Sequence, residues 1–364
     1  TIQDKGIKIK SIDLQEKINN WNDTNTINLP PLDHESLITK AIELEKNGIF
    51  RFATSRNVSI KPRKNGSWIN RENTSTWEFK IKSKGAKSLN LTFADFYLPE
   101  GASLSIAKDH KNSCPIVFTS VDNDSHGQLW TPLFRTDQLK LKLTSPTHLV
   151  AQTQLHLTKI NHGFRDAGAN FKISSNTSGS CQIDVICSAK DNSDYGPIID
   201  IYRDQIESVG AFTLNGIDTC SGALINNTNN DLRPLFLTAE HCGISPSNAA
   251  SMVVYWNYEN TFCREIGSNV NGRIGDGPTT QFNTGAVLRA EYAPTDFALV
   301  ELDDPCVVDE HRDAEVTVER RRHVGDRRLE QVVDADDAGP VRGVAGSLRR
   351  GLDERGPGAA TGRL

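Results

Sequence analysis

The sequence has no long uninterrupted run of apolar residues, although hydrophobic residues fill 37% of its 364 positions. A membrane-spanning helix needs roughly 18 to 20 consecutive apolar residues, so a helical membrane protein is excluded. The net charge is −5 and no element supplies a clear basic patch, so nucleic acid is not an expected partner. The chain begins at Thr1 without a basic and apolar leader, and we expect any export signal to lie outside this sequence.

The 59 residues that follow Pro305 lack asparagine, isoleucine, lysine and all three aromatic residues. They carry 11 arginines and 12 acidic residues instead, which leaves little to build a core and predicts a disordered or irregular tail. The missing residue types have AT-rich codons, whereas most of those that replace them have GC-rich codons. We therefore interpret the tail as the product of a shifted reading frame or of a junction with foreign sequence.

Seven cysteines are present, and five of them fall between positions 181 and 263, separated by 6, 33, 22 and 21 residues. Zinc sites usually contain close C-x-x-C pairs, so this spacing favours disulfides over a metal site. Disulfides predict an oxidising compartment and hence a secreted, extracellular protein. The odd total leaves at least one thiol without a partner. The cysteines are Cys114, Cys181, Cys187, Cys220, Cys242, Cys263 and Cys306.

Short runs of alternating polar and apolar residues, such as TWEFKIK and QLKLKLT, extend from Trp77 to about Ile160. They are separated by turn residues and predict an antiparallel β-sandwich. Residues 33–47 have the apolar spacing of a helix, and the chain after Cys181 is again rich in strand-like runs, which predicts a barrel or a second sandwich. The predicted fold class is therefore mostly β.

Changes in composition divide the chain into five predicted segments. The polar, flexible SSNTSGS stretch forms a linker, because its small residues do not favour regular structure. The segments are an N-terminal region at 1–75, a β-sandwich at 76–173, the linker at 174–180, a second β domain at 181–305 and the aberrant tail at 306–364.

Two motifs in the second β domain suggest acid–base chemistry. In LFLTAEHCG, His241 lies beside Cys242 at the end of an apolar strand, where a disulfide would fix its position. In APTDFALVEL, Asp296 begins an otherwise apolar strand, and a buried carboxylate needs a donor such as an imidazole N–H. Taken singly, a structural histidine at a strand end and an aspartate that caps a turn remain open alternatives. Asp303 and Asp304 are expected to end this strand.

Four strings, CSGALINN, FLTAEHCG, VVYWNYENTFC and TDFALVEL, resemble the first half of bacterial lysyl endopeptidases, which are secreted trypsin-like serine proteases. The resemblance covers about Gly179 to Asp304, and the cysteines at 181, 187, 220, 242 and 263 are placed as in those enzymes. The β-rich segment from Trp77 to Ile160 is similar to the propeptide that precedes the protease in such precursors.

The resemblance implies the first β-barrel of a two-barrel protease, with His241 as general base and Asp296 as the carboxylate that orients it. It also implies a polypeptide substrate cut after a basic residue, lysine above all, with no cofactor, no metal and a monomeric state. The disulfides of the family would join Cys220 to Cys242 and Cys187 to Cys263. Cys181 would reach a cysteine in the second barrel.

The sequence departs from these proteases after Pro305, where no Gly-x-Ser-Gly-Gly motif follows. The one serine in the tail is Ser347, which lies among arginines without the turn and paired backbone donors of an oxyanion hole, so no nucleophile is assigned. Cys306 adjoins the aspartate strand and is a doubtful partner for Cys181. We expect the chain as written to be inactive and truncated before its nucleophile; the alternative hypothesis is a non-catalytic secreted binding protein or pseudoprotease.

Overall fold

The computed structural model describes residues 25–46, 48–66, 68–110, 113–167, 183–191, 193–229, 231–268, 270–271 and 275–304. The chain forms two units, Thr1–Glu315 and Val316–Leu364, and all described residues belong to the first. The predicted linker, Cys181, Cys306, Ser347 and the tail lie outside the described residues. Within the described part, no helix is long and apolar enough to cross a membrane.

The described chain is mostly β, which confirms the predicted fold class. Its N-terminal part, here called the sandwich, contains two sheets with strand orders β1-β5-β10-β7-β8 and β3-β11-β6-β9, and β4 pairs with β5. The strands are β1 (Thr26–Leu29), β3 (Ala53–Ile60), β4 (Trp68–Asn70), β5 (Thr74–Ser83), β6 (Ser88–Tyr97), β7 (Ser103–Lys108), β8 (Ile116–Phe118), β9 (Leu129–Trp130), β10 (Gln138–Pro146) and β11 (Gln154–Gly163). Since β1, β3 and β4 precede residue 76, strand pairing continues across the predicted boundary at 75.

The period-two pattern of the sequence places alternate side chains in the core of the sandwich. Trp77 and Phe79 of β5 lie opposite Leu143 and Leu141 of the antiparallel β10, and all four are buried. Such alternation buries one face of each strand and leaves the other polar face to solvent. The two-residue spacing therefore fixes which face of each sheet meets the other.

One helix, α1 (His34–Glu45), lies on the sandwich and ends next to the second β region. Asp33 caps its first turn by accepting a hydrogen bond from the Ser36 backbone N–H at 3.2 Å. At its other end the Ile49 N–H donates to the Leu44 carbonyl and the Gly48 N–H to the Glu45 carbonyl. This pair of bonds is a Schellman motif, and it needs a residue with positive φ, which Gly48 supplies at 80°.

The second β region, here called the curled sheet, is antiparallel with strand order β16-β15-β12-β13-β14-β18-β17. Its ends, β16 and β17, are consecutive in sequence and joined by Gly285 (φ 81°), so the sheet curls into a half-barrel. Its strands are β12 (Val209–Leu214), β13 (Asp218–Ile225), β14 (Leu235–Thr238), β15 (Val253–Trp256), β16 (Phe282–Thr284), β17 (Ala286–Tyr292) and β18 (Phe297–Leu302); two short helices, α2 (Gly196–Asp200) and α3 (Arg203–Ile206), precede them.

Aromatic rings fill the centre of the curled sheet. Phe236 packs edge-to-face against Phe212 and Trp256, with ring centroids 6.0 and 5.9 Å apart. Each ring is almost fully buried, and edge-to-face pairs add about 0.5 to 1.5 kcal/mol beyond area burial. This core fixes β14, the strand that leads to His241.

The sandwich and the curled sheet contact each other through backbone pairing and a small apolar cluster. The two-residue strand β2 (Phe50–Arg51) pairs with β13, and the Phe52 and Ala53 N–H groups both donate to the Ile217 carbonyl. Apolar residues from both sides form one buried cluster: Phe52, Ala53, Trp130, Leu133, Val253 and Tyr255. We call these contacts the interface.

Candidate active site

His241 lies in a single 3₁₀ turn, Glu240–Cys242, directly after β14. The turn ends at Gly243, whose φ of 77° reverses the chain. Strand pairing carries the second motif to the same place, because Thr238 of β14 lies opposite Ala298 of β18. The two motifs, 55 residues apart in sequence, therefore meet at one edge of the curled sheet.

Asp296 occupies the turn between β17 and β18 in a left-handed conformation, with φ of 52°. Short polar residues such as aspartate tolerate this region better than branched ones. In this position its carboxylate accepts two hydrogen bonds from His241, one from the backbone N–H at 2.9 Å and one from the ring Nδ1–H at 2.7 Å. The side chain is thus held by both the main chain and the ring of one residue.

These bonds decide the chemistry of the pair. The His241 backbone N–H, followed by the ring N–H, holds the pKa of the Asp296 carboxyl below its usual value, so the carboxylate is ionised. Because Nδ1 carries the proton, Nε2 has a free lone pair. His241 and Asp296 are about half exposed, at 47 and 50%, so the lone pair is within reach of solvent or a substrate.

The described residues contain two disulfides, one of which adjoins His241. Cys242 is bonded to Cys220 of β13, and Cys187 is bonded to Cys263. These are the pairs that the resemblance implies. The first one ties the histidine turn to the neighbouring strand, which restricts its movement. Among the described residues the one free cysteine is the exposed Cys114.

The end of α1 lies against the ring of His241. A side-chain carbon added at Gly48 would be 3.0 Å from His241 Cδ2 and 3.7 Å from Nε2. The Gly48 backbone therefore lies beside the Cδ2 atom of the ring. Glu45, at the last helical turn, pairs with the buried Arg165 at 2.5 Å and fixes this end of the helix.

The remaining catalytic groups of a serine protease are not found among the described residues. No hydroxyl there is hydrogen-bonded to His241 Nε2, and the tail that contains Ser347 lies outside this part of the chain. The site as described contains a base and its orienting carboxylate.

Among the residues that the structure describes, three groups of side chains have the spacing of metal ligands, but two contain the disulfide-bonded cysteines, which have no thiolate to offer. The third group is Asp124, His126 and Asp303 at the interface. Sequence reasoning missed this group, as well as the contact between Gly48 and His241. Asp303 was expected to end a strand, and β18 does end at Leu302.

Comparison with known proteins agrees with the resemblance. Residues 175–311 match the family described as "Lysyl endopeptidase, C-terminal domain". The chain is 26% identical over 242 residues to the lysyl endopeptidase of Pseudomonas aeruginosa, an alignment that covers 62% of this chain and 49% of that protein. The chain thus spans about half the length of the curated relative it matches.

Proposed function

We propose that this lysyl endopeptidase-like chain is the precursor form of a secreted serine endopeptidase that cuts polypeptides after lysine. The observation that carries the proposal is the 2.7 Å contact between His241 Nδ1 and Asp296 Oδ2. A ring held in this tautomer presents a basic Nε2, which is what activation of a hydroxyl nucleophile requires. The preference for lysine rests on the family match alone.

In the proposed reaction His241 takes the proton of a serine hydroxyl as that oxygen attacks the peptide carbonyl, and then returns it to the departing amine. Asp296 keeps the tautomer and stabilises the imidazolium that forms between the two steps. The serine and the backbone donors for the oxyanion must come from residues outside the described part. No cofactor takes part in this scheme.

The proposed precursor has a pro-region at 1–173, a linker at 174–180 and the first barrel of the protease at 181–305. The position of Gly48 beside the ring of His241 supports a contact between the N-terminal region and the base before maturation. The two disulfides support folding in an oxidising compartment and hence secretion. We propose that residues 306–364 are read from a shifted frame.

The coding DNA downstream of codon 305 tests the proposal directly. We expect one of the other two frames to encode a Gly-x-Ser-Gly motif and a cysteine that can pair with Cys181. A chain restored to that frame should cleave peptides after lysine in preference to arginine or leucine, and His241→Ala should abolish the cleavage. The 364-residue chain of verified mass should take up no serine-directed fluorophosphonate label, because neither a positioned hydroxyl nor an oxyanion hole is encoded.

A second candidate function is a secreted binding protein or pseudoprotease, and the absence of a Gly-x-Ser-Gly motif after Pro305 favours it. If neither alternative frame encodes that motif, this candidate replaces the peptidase. Stoichiometric labelling of the 364-residue chain that disappears in Ser347→Ala would contradict both accounts.

A further inference from the structure

A second group of histidine and aspartate side chains lies at the interface, away from His241. Asp124 and His126 belong to the loop before β9 in the sandwich, whereas Asp303 follows β18 in the curled sheet. His126 Nε2 is 3.6 Å from Asp124 Oδ2 and 3.3 Å from Asp303 Oδ2, and the three side chains are 16 to 20% exposed. One imidazole therefore joins a carboxylate of its own loop to a carboxylate across the interface.

The hydrogen bond at Nδ1 assigns the proton of the neutral His126 ring to Nε2. The Gln128 backbone N–H donates to His126 Nδ1 at 3.0 Å, so Nδ1 is the acceptor and carries no proton. The proton is then on Nε2, which faces both carboxylates and cannot ligate a cation in that form. The Nε2–H thus faces both carboxylates in ionic contacts of 3.3 and 3.6 Å without a formed hydrogen bond.

The charges around the ring are almost all acidic. Burial, followed by the charge of Asp304, raises the pKa of Asp124 to about 7, with further acidic contributions from Asp303 and Asp122. The Asp303 carboxylate, 3.3 Å from His126 Nε2, acts on the ring as well. Among the described residues, the charges that act on these two groups are those of Asp122, Asp303, Asp304 and the pair itself.

The sign of the pH effect follows from the pKa of Asp124. The carboxyl of Asp124 has a raised pKa. At pH values between its ordinary pKa and about 7, it keeps its proton while the interface is closed and would release that proton in water. Asp124 therefore favours closure in mild acid and opposes it above neutrality, where Asp124, Asp303 and Asp304 would face one another as anions.

We propose that Asp124, His126 and Asp303 form a proton-operated latch, which holds the sandwich on the curled sheet in mildly acidic solution and loosens that contact above neutral pH. Gly285, the residue next to the latch, supports this assignment. A side-chain carbon at Gly285 would be 2.3 Å from Asp303 Oδ2 and 3.1 Å from His126 Nε2, so the backbone leaves room for these groups and nothing more.

The latch acts on the same interface that places Gly48 on His241. Loosening it would move Gly48 away from the ring of His241, and any effect of that movement on catalysis, unlike the latch itself, rests on the proposed peptidase function. The test below measures the interface alone, so its outcome does not depend on whether the chain is a peptidase.

Hydrogen exchange of the full 364-residue chain tests the latch. The N–H groups of Phe52 and Ala53, which donate to the Ile217 carbonyl across the interface, report on closure. After correction for the intrinsic exchange rate, we expect their protection to fall about tenfold between pH 6 and pH 8, as linkage to about one proton requires. Protection of the β5–β10 amides inside the sandwich should stay constant over this range.

Two variants locate the effect. Asp124→Asn keeps the shape of the side chain and cannot ionise, so protection at pH 8 should rise to the value at pH 6 and the pH dependence should vanish. Asp95→Asn is the matched control, because Asp95 contacts His156 at 3.3 Å in a similar pair that lies within the sandwich. It should leave the pH dependence of Phe52 and Ala53 unchanged.

Four outcomes would overturn the latch. They are equal protection of these amides at pH 6 and 8, a wild-type pH dependence in Asp124→Asn, a lost pH dependence in Asp95→Asn, and protection at pH 8 restored by millimolar Ca²⁺ or Zn²⁺. A direct titration of the Asp124 carboxyl by NMR provides a second measurement. An apparent pKa near the ordinary aspartate value would be a fifth outcome against the proposal, whereas one near 7 would support it.

Discussion

The molecule contains two histidine–aspartate arrangements that use the same residue types for different chemistry. At His241 the ring donates from Nδ1 to one carboxylate and leaves Nε2 free, whereas at His126 Nδ1 accepts a backbone N–H and Nε2 faces two carboxylates. His241 is about half exposed and His126 is largely buried at the interface. The tautomer and the burial, rather than the residue types, separate a ring with an accessible Nε2 lone pair from a ring whose Nε2–H faces carboxylates in a contact.

The two sites also differ in how they are held. A disulfide and a turn fix His241 within one sheet, so its partner is close whatever the sandwich does. The partners of His126 belong to both sides of the interface, and their contact exists only while the interface is closed. Changes at the first site should therefore alter chemistry, and changes at the second should alter the response to pH.

The largest expected effect separates the two aspartates in a chain restored to the frame that encodes a serine. Asp296→Asn should lower kcat by about 10⁴-fold, because the amide favours the wrong tautomer of His241. Asp303→Asn should change kcat by less than about threefold, since Asp303 contacts His126 at the interface rather than His241. Steady-state cleavage of a lysine peptide measures both, and equal losses in the two variants would contradict the separation of roles.

Removal of the disulfide beside His241 should cost about 3 kcal/mol in the free energy of unfolding. Cys220 and Cys242 are 22 residues apart, and closing a loop of this size restricts the unfolded chain by about that amount in the chain-entropy model. Urea unfolding of Cys220→Ala/Cys242→Ala against the wild type measures the difference. The pH dependence of hydrogen exchange at the Phe52 and Ala53 amides should remain, since the latch contains no cysteine. Loss of this pH dependence in the double variant would show that the two sites are coupled.

A third histidine should respond to pH in the opposite direction from the latch. His162 is fully buried against His34 and Ser83, and burial, followed by the charges of His34 and Arg56, lowers its pKa to about 4. The unfolded chain therefore binds the proton first, and stability falls as pH drops from about 6.5 to about 4, by roughly 3 kcal/mol at the end of this range.

Urea unfolding at pH 7, 5.5 and 4 measures this loss. His162→Gln should remove most of the acid-induced change relative to its own stability at pH 7. His156→Gln, which changes an exposed pair on the same strand, should leave the change as in the wild type. An identical acid response in all three proteins would assign the loss to other groups.

Local patterns in the sequence predicted much of the fold. Alternation from Trp77 onward gave the strands of the sandwich, and the helix-like spacing at 33–47 agrees with α1 (His34–Glu45). The pairing of His241 with Asp296 was implied by a family resemblance and by the need of a carboxylate for a donor. These features depend on nearby residues or on motifs that recur in known proteins.

The interface could not be predicted in the same way. β2 has two residues, too few to show any period, and it becomes a strand only because β13 offers an edge to pair with. Asp124 and Asp303 are far apart in sequence, and the raised pKa of Asp124 arises from burial, which belongs to the packed structure. Contacts of this range are set by tertiary packing, and a single sequence carries no local signal for them.

The smallest expected effects come from alanine substitutions at Gly48, which lies beside His241, and at Gly285, which lies beside His126. Gly85, which has no neighbour within 4 Å of an added side-chain carbon, serves as the control. Gly48 and Gly85 have φ values of 80° and 86°, so alanine at either position should cost about 1 kcal/mol of stability through backbone strain. Nothing lies within 4 Å of a side-chain carbon at Gly85, whereas one at Gly48 would press on the ring of His241. In urea, Gly48→Ala and Gly85→Ala should lose similar amounts of unfolding free energy. The NMR resonances of the His241 ring should shift in Gly48→Ala alone.

Gly285→Ala carries the same strain, with φ of 81°, but its side-chain carbon would displace the Asp303 carboxylate rather than the His241 ring. This variant should therefore lose about as much unfolding free energy as the other two and leave the His241 resonances unchanged. It should also reduce the pH dependence of hydrogen exchange at Phe52. The three alanine variants thus have the same backbone strain. They differ in their neighbours, which are His241 for Gly48, the Asp303 and His126 pair for Gly285, and no side chain for Gly85. If Gly48→Ala flattened that pH dependence and Gly285→Ala shifted His241, the two histidine sites would be coupled through the interface, and the comparison between them would have to be abandoned.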